Sequence, residues 1–497
     1  MEEYIIDYNI LDYNLYRQRL KKIQSNKNNK FEVTKLNDLG YTSCGFPIEH
    51  YKIGNGPIHV TYMGGMHGNE LIGVDFVTQL MNNLAKGTGK FKYFNPNIFT
   101  IDFIPCQNPE GFYTTMFYVN KILNNMNLDE KERFCRKYYE AYKKDDMLVI
   151  KINEIISNLI SKFKIDYASN KLCEQFFCLN HNKEITKESL FIFFKLFNLE
   201  DNKMIKKSIN DEWVNKFGNV KKIDNKHYHT IIMNDVSIDD FPEIDEQHKK
   251  LKSKLRKIYK NNFFLPGTLT DFFANGDGVN LNDNNPYFFE YFKEKIKKEK
   301  IVYGNLRNNH IIKSINGPLG VPNINMNQKF TFCLENKAII KYLKKQRQCN
   351  EYYALFNCHS AGGALYAYPI KYDYKNIENN HQIELIFKIN DIIAKKYVEK
   401  VGNVYKEETE KYNPYIIMDR PDVITGFGDL LRKNYPASFI LELSKIGGNP
   451  IAYYSDLKGN YRLTMISNFE AMITTLETIN NIKEMYNKVR DINSDEI

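Results

Sequence analysis

The chain has 497 residues, 43% of them apolar, enough for a large core; by length it holds two to four domains or one enlarged α/β domain with insertions. Its 69 basic and 60 acidic residues leave a net charge of +9 spread thinly over that length, which argues against a nucleic-acid partner. No run of about 18 apolar residues occurs, so no membrane span is expected.

Eight cysteines show neither a C-x-x-C pair nor a disulfide-framework spacing. The start, Met1-Glu2-Glu3-Tyr4, lacks the basic-then-apolar layout of a secretory signal. Together these suit a reducing, cytoplasmic setting.

In chain order, helical spacing first appears around Tyr13 to Ile23, followed by the polar stretch Gln24 to Lys30. Phe46 to Tyr51 and Ile58 to Met63 read as neighbouring strands joined by Gly54-Asn55-Gly56. The second of these ends at Gly64-Gly65, and apolar residues at helical spacing then run from Leu71 to Ala85. A third strand, Ile98 to Ile104, leads to the tight-turn signal Asn108-Pro109-Glu110-Gly111. From residue 118 to 262 the composition shifts to Lys, Asn, Asp and Glu with helical spacing, which reads as a helical insertion between segments 1–117 and 263–497. Alternation of strand and helix then returns. A helix is expected over Glu335 to Leu343, a strand over Tyr352 to Asn357 and a helix over Ile383 to Val398. Ser438 to Leu443 is the next strand, the turn Gly447-Gly448-Asn449-Pro450 follows, and a helix closes the chain from Arg462 to Lys488.

Four residues carry chemistry. His67 and Glu70 sit three residues apart on the turn between a buried strand and a helix, where open α/β sheets gather their ligands; an imidazole and a carboxylate so placed form half of a metal site. Catalytic zinc takes three protein ligands and keeps one position open. His359, which follows a buried strand and precedes a turn of small residues, is the best placed of the ten histidines to be the third. Glu442 lies inside the apolar strand Phe439-Ile440-Leu441-Glu442-Leu443, where an unpaired charge is costly. It is therefore either ion-paired, to Lys433 or Lys445, or employed as a base.

With these residues in place the chain resembles the zinc carboxypeptidase family. The family's His-x-x-Glu matches His67 and Glu70, its third ligand His359, and its general base in a Phe-x-x-Glu-Leu strand Glu442. Its Asn-Pro-Asp-Gly turn is similar to Asn108 to Gly111, and its Gly-Val-Asp-Leu-Asn segment to Gly278 to Asn282. The segment Gly278 to Asn282 with its following Asn and Pro is closest to a bacterial subgroup, the γ-D-glutamyl-L-diamino acid endopeptidases. The resemblance implies a mixed eight-stranded α/β sheet sandwiched by helices, one zinc, and hydrolysis of a peptide or isopeptide amide with Glu442 as general base. A peptide or amino-acid amide is the implied substrate. Three alternatives stand beside it: an amidohydrolase of the same fold acting on N-acyl amino acids, a catalytically impaired binding protein, and a scaffold whose 118–262 insertion rather than its pocket binds a partner.

Departures from the family bear on substrate. Asn282 is retained, but Asp283 stands where digestive members carry a carboxylate-clamping Arg, so a free C-terminus would be repelled and an amine welcomed. Asn280 replaces the family's Asp, which accepts a hydrogen bond from a ligating His; an amide oxygen can still accept it. No Arg stands at the spacing of the family's oxyanion-stabilising guanidinium, which leaves Arg307, Arg420 and Arg432 by elimination. The family's mobile, substrate-covering Tyr corresponds to Tyr412 or Tyr415, and Asp429 to a pocket-floor position or a helix cap.

Overall fold

Eight strands form one mixed sheet. They are β1 (Thr34–Lys35), β2 (Tyr51–Ile53), β3 (Ile58–Gly64), β4 (Phe99–Ile104), β5 (Tyr352–His359), β6 (Ala364–Tyr366), β7 (Ile416–Met418) and β8 (Ser438–Glu442), in the spatial order β1-β2-β4-β3-β5-β8-β6-β7. The four central strands β4, β3, β5 and β8 are mutually parallel, while β1, β2 and β6 join antiparallel. This computed structural model describes residues 3–163, 185–188, 190–191, 203–220, 222–223, 237–261, 272–299, 320, 323, 328–349, 352–360, 362–368, 381–418, 426–434, 437–445 and 450–487.

Parallel strands are buried on both faces, and the apolar runs of β3 and β5 show it. Val60, Tyr62, Ala354 and Phe356 point to one side, where they pack with α1 (Tyr13–Ser25), α2 (Leu71–Lys86), α3 (Pro109–Leu123), α9 (His381–Thr409) and α11 (Arg462–Asn481). Met63, Ile104 and Leu355 point to the other, against α8 (Leu334–Cys349) and α10 (Phe427–Asn434). Tyr62 stacks on Phe356 across the strand pair at 5.0 Å between ring centroids, and Phe356 on Phe439 at 4.9 Å. Each such buried ring contributes roughly 1.5–3 kcal/mol.

The expected elements map onto these, with three differences. Phe46 to Tyr51 is not one strand: Pro47–Ile48 pairs with Gly40–Tyr41 in a separate hairpin, and Tyr51 opens β2. The turn Gly447-Gly448-Asn449 lies outside the described residues, although Pro450 opens a short helix. The insertion boundary at residue 118 falls inside α3, whose Phe112, Met116, Val119 and Leu123 continue one buried stripe into the main core. Composition turns polar there because the outer face of the helix does; the inner face does not change.

Past α3, α4 (Leu128–Phe163) buries Cys135 in the same core, and the Arg136 Nε donates to the Ser455 carbonyl at 3.4 Å. Its far end packs on α5 (Lys203–Phe217), where Trp213 is fully buried and donates from Nε1 to the Val220 carbonyl at 2.7 Å. α6 (Glu246–Asn261) inserts Leu251, Leu255 and Ile258 between Phe46, Tyr113 and Phe272. Residues on both sides of the 118–262 block thus share hydrophobic clusters with it.

Candidate metal centre

β3 delivers the site. Its last residue, Gly64, has no room for a side chain, since a Cβ would come 2.4 Å from the Gly73 carbonyl of α2, and Gly65 turns the chain at φ +65°. The turn is clamped by Asn108, which caps α3 by accepting from Gly111 N at 2.9 Å and donates to the Met66 and Ala274 carbonyls at 3.3 and 3.1 Å. His67 and Glu70 are thereby fixed at the carboxyl end of the sheet, with Glu70 immediately ahead of α2, where the helix dipole favours a carboxylate.

β5 delivers the third group. Side chains alternate along it, so His359, the final residue of the strand, shares the face of Leu355 and Asn357. His67, Glu70 and His359 each offer one ligand atom, all within 4.8 Å of one another, and all three residues are buried. The Glu70 carboxylate bridges the imidazoles: Oε1 lies 2.8 Å from His67 Nδ1 and Oε2 2.9 Å from His359 Nδ1. Ser360 N also donates to Oε2 at 3.3 Å.

Burial alone would raise the Glu70 pKa, but the two imidazoles outweigh it by charge and hydrogen bonding and hold it down at about 2. Burial lowers the pKa of His67; at His359 it is overcome by Glu70, which raises it. Two nitrogens and a carboxylate oxygen converging in a dry site are a donor set suited to zinc. The far nitrogens, Nε2 of His67 and of His359, are buried with no hydrogen-bond partner. The residues fit the ion.

Glu442 stands beside this cluster. β8 runs parallel to β5 with Glu442 paired in register to His359, and Leu443 N donates to the His359 carbonyl at 3.0 Å. Its Oε2 is buried and unpartnered. Burial pushes the carboxyl up to about 8, with His359 opposing and Glu70 adding to the rise. The proposed ion pair with Lys445 is not formed: that ammonium donates to the Asn413 and Pro414 carbonyls at 2.9 and 3.1 Å and lies 4.7 Å from the centre of the Tyr405 ring.

The other expected site residues distribute unevenly. Asp283 is half-buried and close enough for its charge to raise the proton affinity of His67. Asn282 meets α10: its carbonyl and its Oδ1 accept from Phe427 N at 2.5 Å and Gly428 N at 3.3 Å. Asp429 acts as a cap, its Oδ2 accepting from Gly426 N at 3.1 Å.

Two expectations are corrected. Asn280 is not bonded to a histidine, because its Oδ1 accepts from Asn282 N at 3.0 Å within its own turn. Tyr415 is no mobile substrate contact: it is 2% exposed, and its hydroxyl donates to the Leu443 carbonyl and accepts from Asn468 Nδ2 at 2.8 Å. Tyr412 is exposed. Arg307 and Arg420 lie outside the described residues, as does the Arg432 side chain.

Sequence reasoning missed a buried acidic network next to the site. Glu110 accepts from Cys44 N at 2.7 Å and Gly276 N at 2.8 Å, and Glu335 of α8 accepts from Asn275 Nδ2 at 3.2 Å. Burial first, and then the charge of Glu110, push Glu335 up to about 8. Its folded pKa therefore exceeds the ordinary 4.5, so the native state holds an extra proton between these values. The stability this contributes is complete below about pH 4.5 and is lost as pH rises to about 8. Replacing Glu335 by Gln, which does not ionise, should raise urea stability by roughly 3–4 kcal/mol more at pH 8 than at pH 5, at about 1.4 kcal/mol per pKa unit. An equal difference at both pH values would contradict this.

Residues 19–140 match the sequence model of the zinc carboxypeptidase family. None of the curated proteins matches the chain. Among solved structures, bovine thrombin-activatable fibrinolysis inhibitor in complex with tick carboxypeptidase inhibitor is similar at 11% identity and a TM-score of 0.44, covering 95% of this chain and 99% of that one. Carboxypeptidase A from Helicoverpa armigera is similar at 10% identity and a TM-score of 0.43, covering 95% and 74%. No helix among the described residues is long and apolar enough to cross a membrane. The family match runs through the turn that supplies His67 and Glu70 and on past residue 118, which makes this part of the chain similar to the zinc carboxypeptidases.

Proposed function

We propose that the chain is a metallohydrolase that uses one zinc, held by His67, Glu70 and His359, to cleave a peptide or isopeptide amide bond in carboxypeptidase fashion, with Glu442 as general base. The observation that carries this reading is the buried His67–Glu70–His359 cluster with the unpaired Glu442 carboxylate one strand away. Zinc bound there would supply Lewis-acid polarisation of the scissile carbonyl and acidify the attacking water. Glu442 takes the water's proton at its carboxylate and returns it to the departing amine. Its apolar strand keeps bulk water from competing for that proton. Asp283 places negative charge within reach of His67 and favours substrates that present an amine there over those that present a carboxylate. The free thiols among the described residues support a cytoplasmic location.

Asn280 favours a second reading: because it makes no bond to a ligating histidine, a catalytically impaired binding protein is the competing description. A peptide library that includes isopeptide-linked and N-acyl amino-acid members separates these. The proposal expects new amines from peptide members, loss of cleavage after chelation, and recovery on adding zinc. Cleavage confined to N-acyl amino acids would make the chain an amidohydrolase, and no cleavage with zinc bound would favour the binding protein.

A further inference from the structure

A histidine that binds a metal through one ring nitrogen ordinarily donates the other N–H to a carboxylate, a carbonyl or water, and that bond fixes the plane of the ring. His67 turns Nδ1 toward Glu70, so Nδ1 is its ligand atom and Nε2 is the end that needs anchoring. Nε2 is buried and has no hydrogen-bond partner, and the Asn280 Oδ1 accepts from Asn282 N within its own turn. What the ring has instead is an aromatic plate. Phe273 lies on its face with centroids 3.7 Å apart and planes inclined by 20°.

Resting on the reading of His67 as a zinc ligand, we propose that Phe273 is a positioning residue that holds the imidazole in its metal-binding orientation by stacking, in place of the missing hydrogen bond. The segment that carries it is secured without help from His67. Phe273 O accepts from Gly68 N at 3.1 Å. Phe272 donates from its amide to Thr115 Oγ1 at 3.2 Å and accepts from the same hydroxyl at 3.1 Å. The Ala274 carbonyl accepts from Asn108 Nδ2 at 3.1 Å. This close approach requires a glycine next to the ligand, since a Cβ on Gly68 would come 2.5 Å from the Phe272 carbonyl. The stacked ring is therefore a fixed wall. Stacking restrains tilt but supplies no acceptor, so His67 is a less basic ligand than one backed by a carboxylate.

The test is the zinc dissociation constant of the full chain, measured by chelator competition for wild type, Phe273→Leu, Phe273→Tyr and Phe272→Leu. Phe272 packs in the hydrophobic cluster of Phe46, Tyr113 and Leu251, so its variant reports on general loosening. Phe273→Leu is expected to weaken zinc about 10- to 100-fold, the range for losing a residue that orients a ligand. Phe273→Tyr, which keeps the ring, should retain wild-type affinity. Phe272→Leu should lower the melting temperature while leaving zinc binding unchanged. The proposal is overturned if Phe273→Leu binds zinc as wild type does, if Phe273→Tyr fails as badly as Leu, or if Phe272→Leu loses zinc equally. A wild-type chain that binds no zinc would remove the metal centre itself, an outcome distinct from these three.

Discussion

Glu442→Gln is expected to lower the hydrolytic rate by about 10²- to 10⁴-fold, the usual worth of a positioned general base. At about 1.36 kcal/mol per decade this is roughly 3–5 kcal/mol of barrier. The carboxamide has the same shape and stays in register with His359, but it cannot take a proton from water. Stability should hold or rise slightly, because the substitution removes a charge whose Oε2 is buried without a partner. Zinc content should not change, since Glu442 is outside the ligand cluster. The measurement is kcat/KM on the best library peptide together with zinc per chain. A variant with rates close to wild type would assign the proton transfer elsewhere.

Glu70→Ala is the second large effect. A complete four-ligand zinc site in a small domain is worth about 10–16 kcal/mol, so removing one of three protein ligands should forfeit on the order of 3 kcal/mol or more, at least two decades in affinity. The loss is sharpened by what Glu70 does besides: it accepts from both imidazoles and from Ser360 N, and so sets His67 and His359 to face one point. Without it the two rings, 4.9 Å apart at their centroids, have no common anchor. Chelator competition checks this. Zinc affinity within a factor of a few of wild type would mean that Glu70 only orders the histidines.

The chemistry was legible where local signals were strong. Two glycines after an alternating apolar run place His67 and Glu70 on a strand-to-helix turn, and a lone carboxylate in Phe439-Ile440-Leu441-Glu442 marks itself by its cost of burial. The short strands β1, β6 and β7, two or three residues long, are too short to show a period of two. Long-range contacts were equally silent. Nothing in the pair Phe272-Phe273 says that one ring will lie on an imidazole 206 positions earlier. Tyr415 was misread because order along the chain suggested a loop, whereas Leu443 and Asn468 hold its hydroxyl in the core. Asn280 was misread because an amide can serve its own turn as readily as a distant ring. The boundary at residue 118 falls within α3 because composition reports the solvent face of that helix, and the core reads the other.

The central claim is that three side chains, one pair from a single turn and one from a strand 289 residues further on, meet around one ion. Anomalous diffraction at the zinc edge, from crystals of protein purified with zinc, tests it most directly. The account predicts a single peak about 2.0–2.2 Å from His67 Nδ1, His359 Nδ1 and a Glu70 oxygen. A peak elsewhere, or none in crystals whose protein binds zinc in solution, would contradict it.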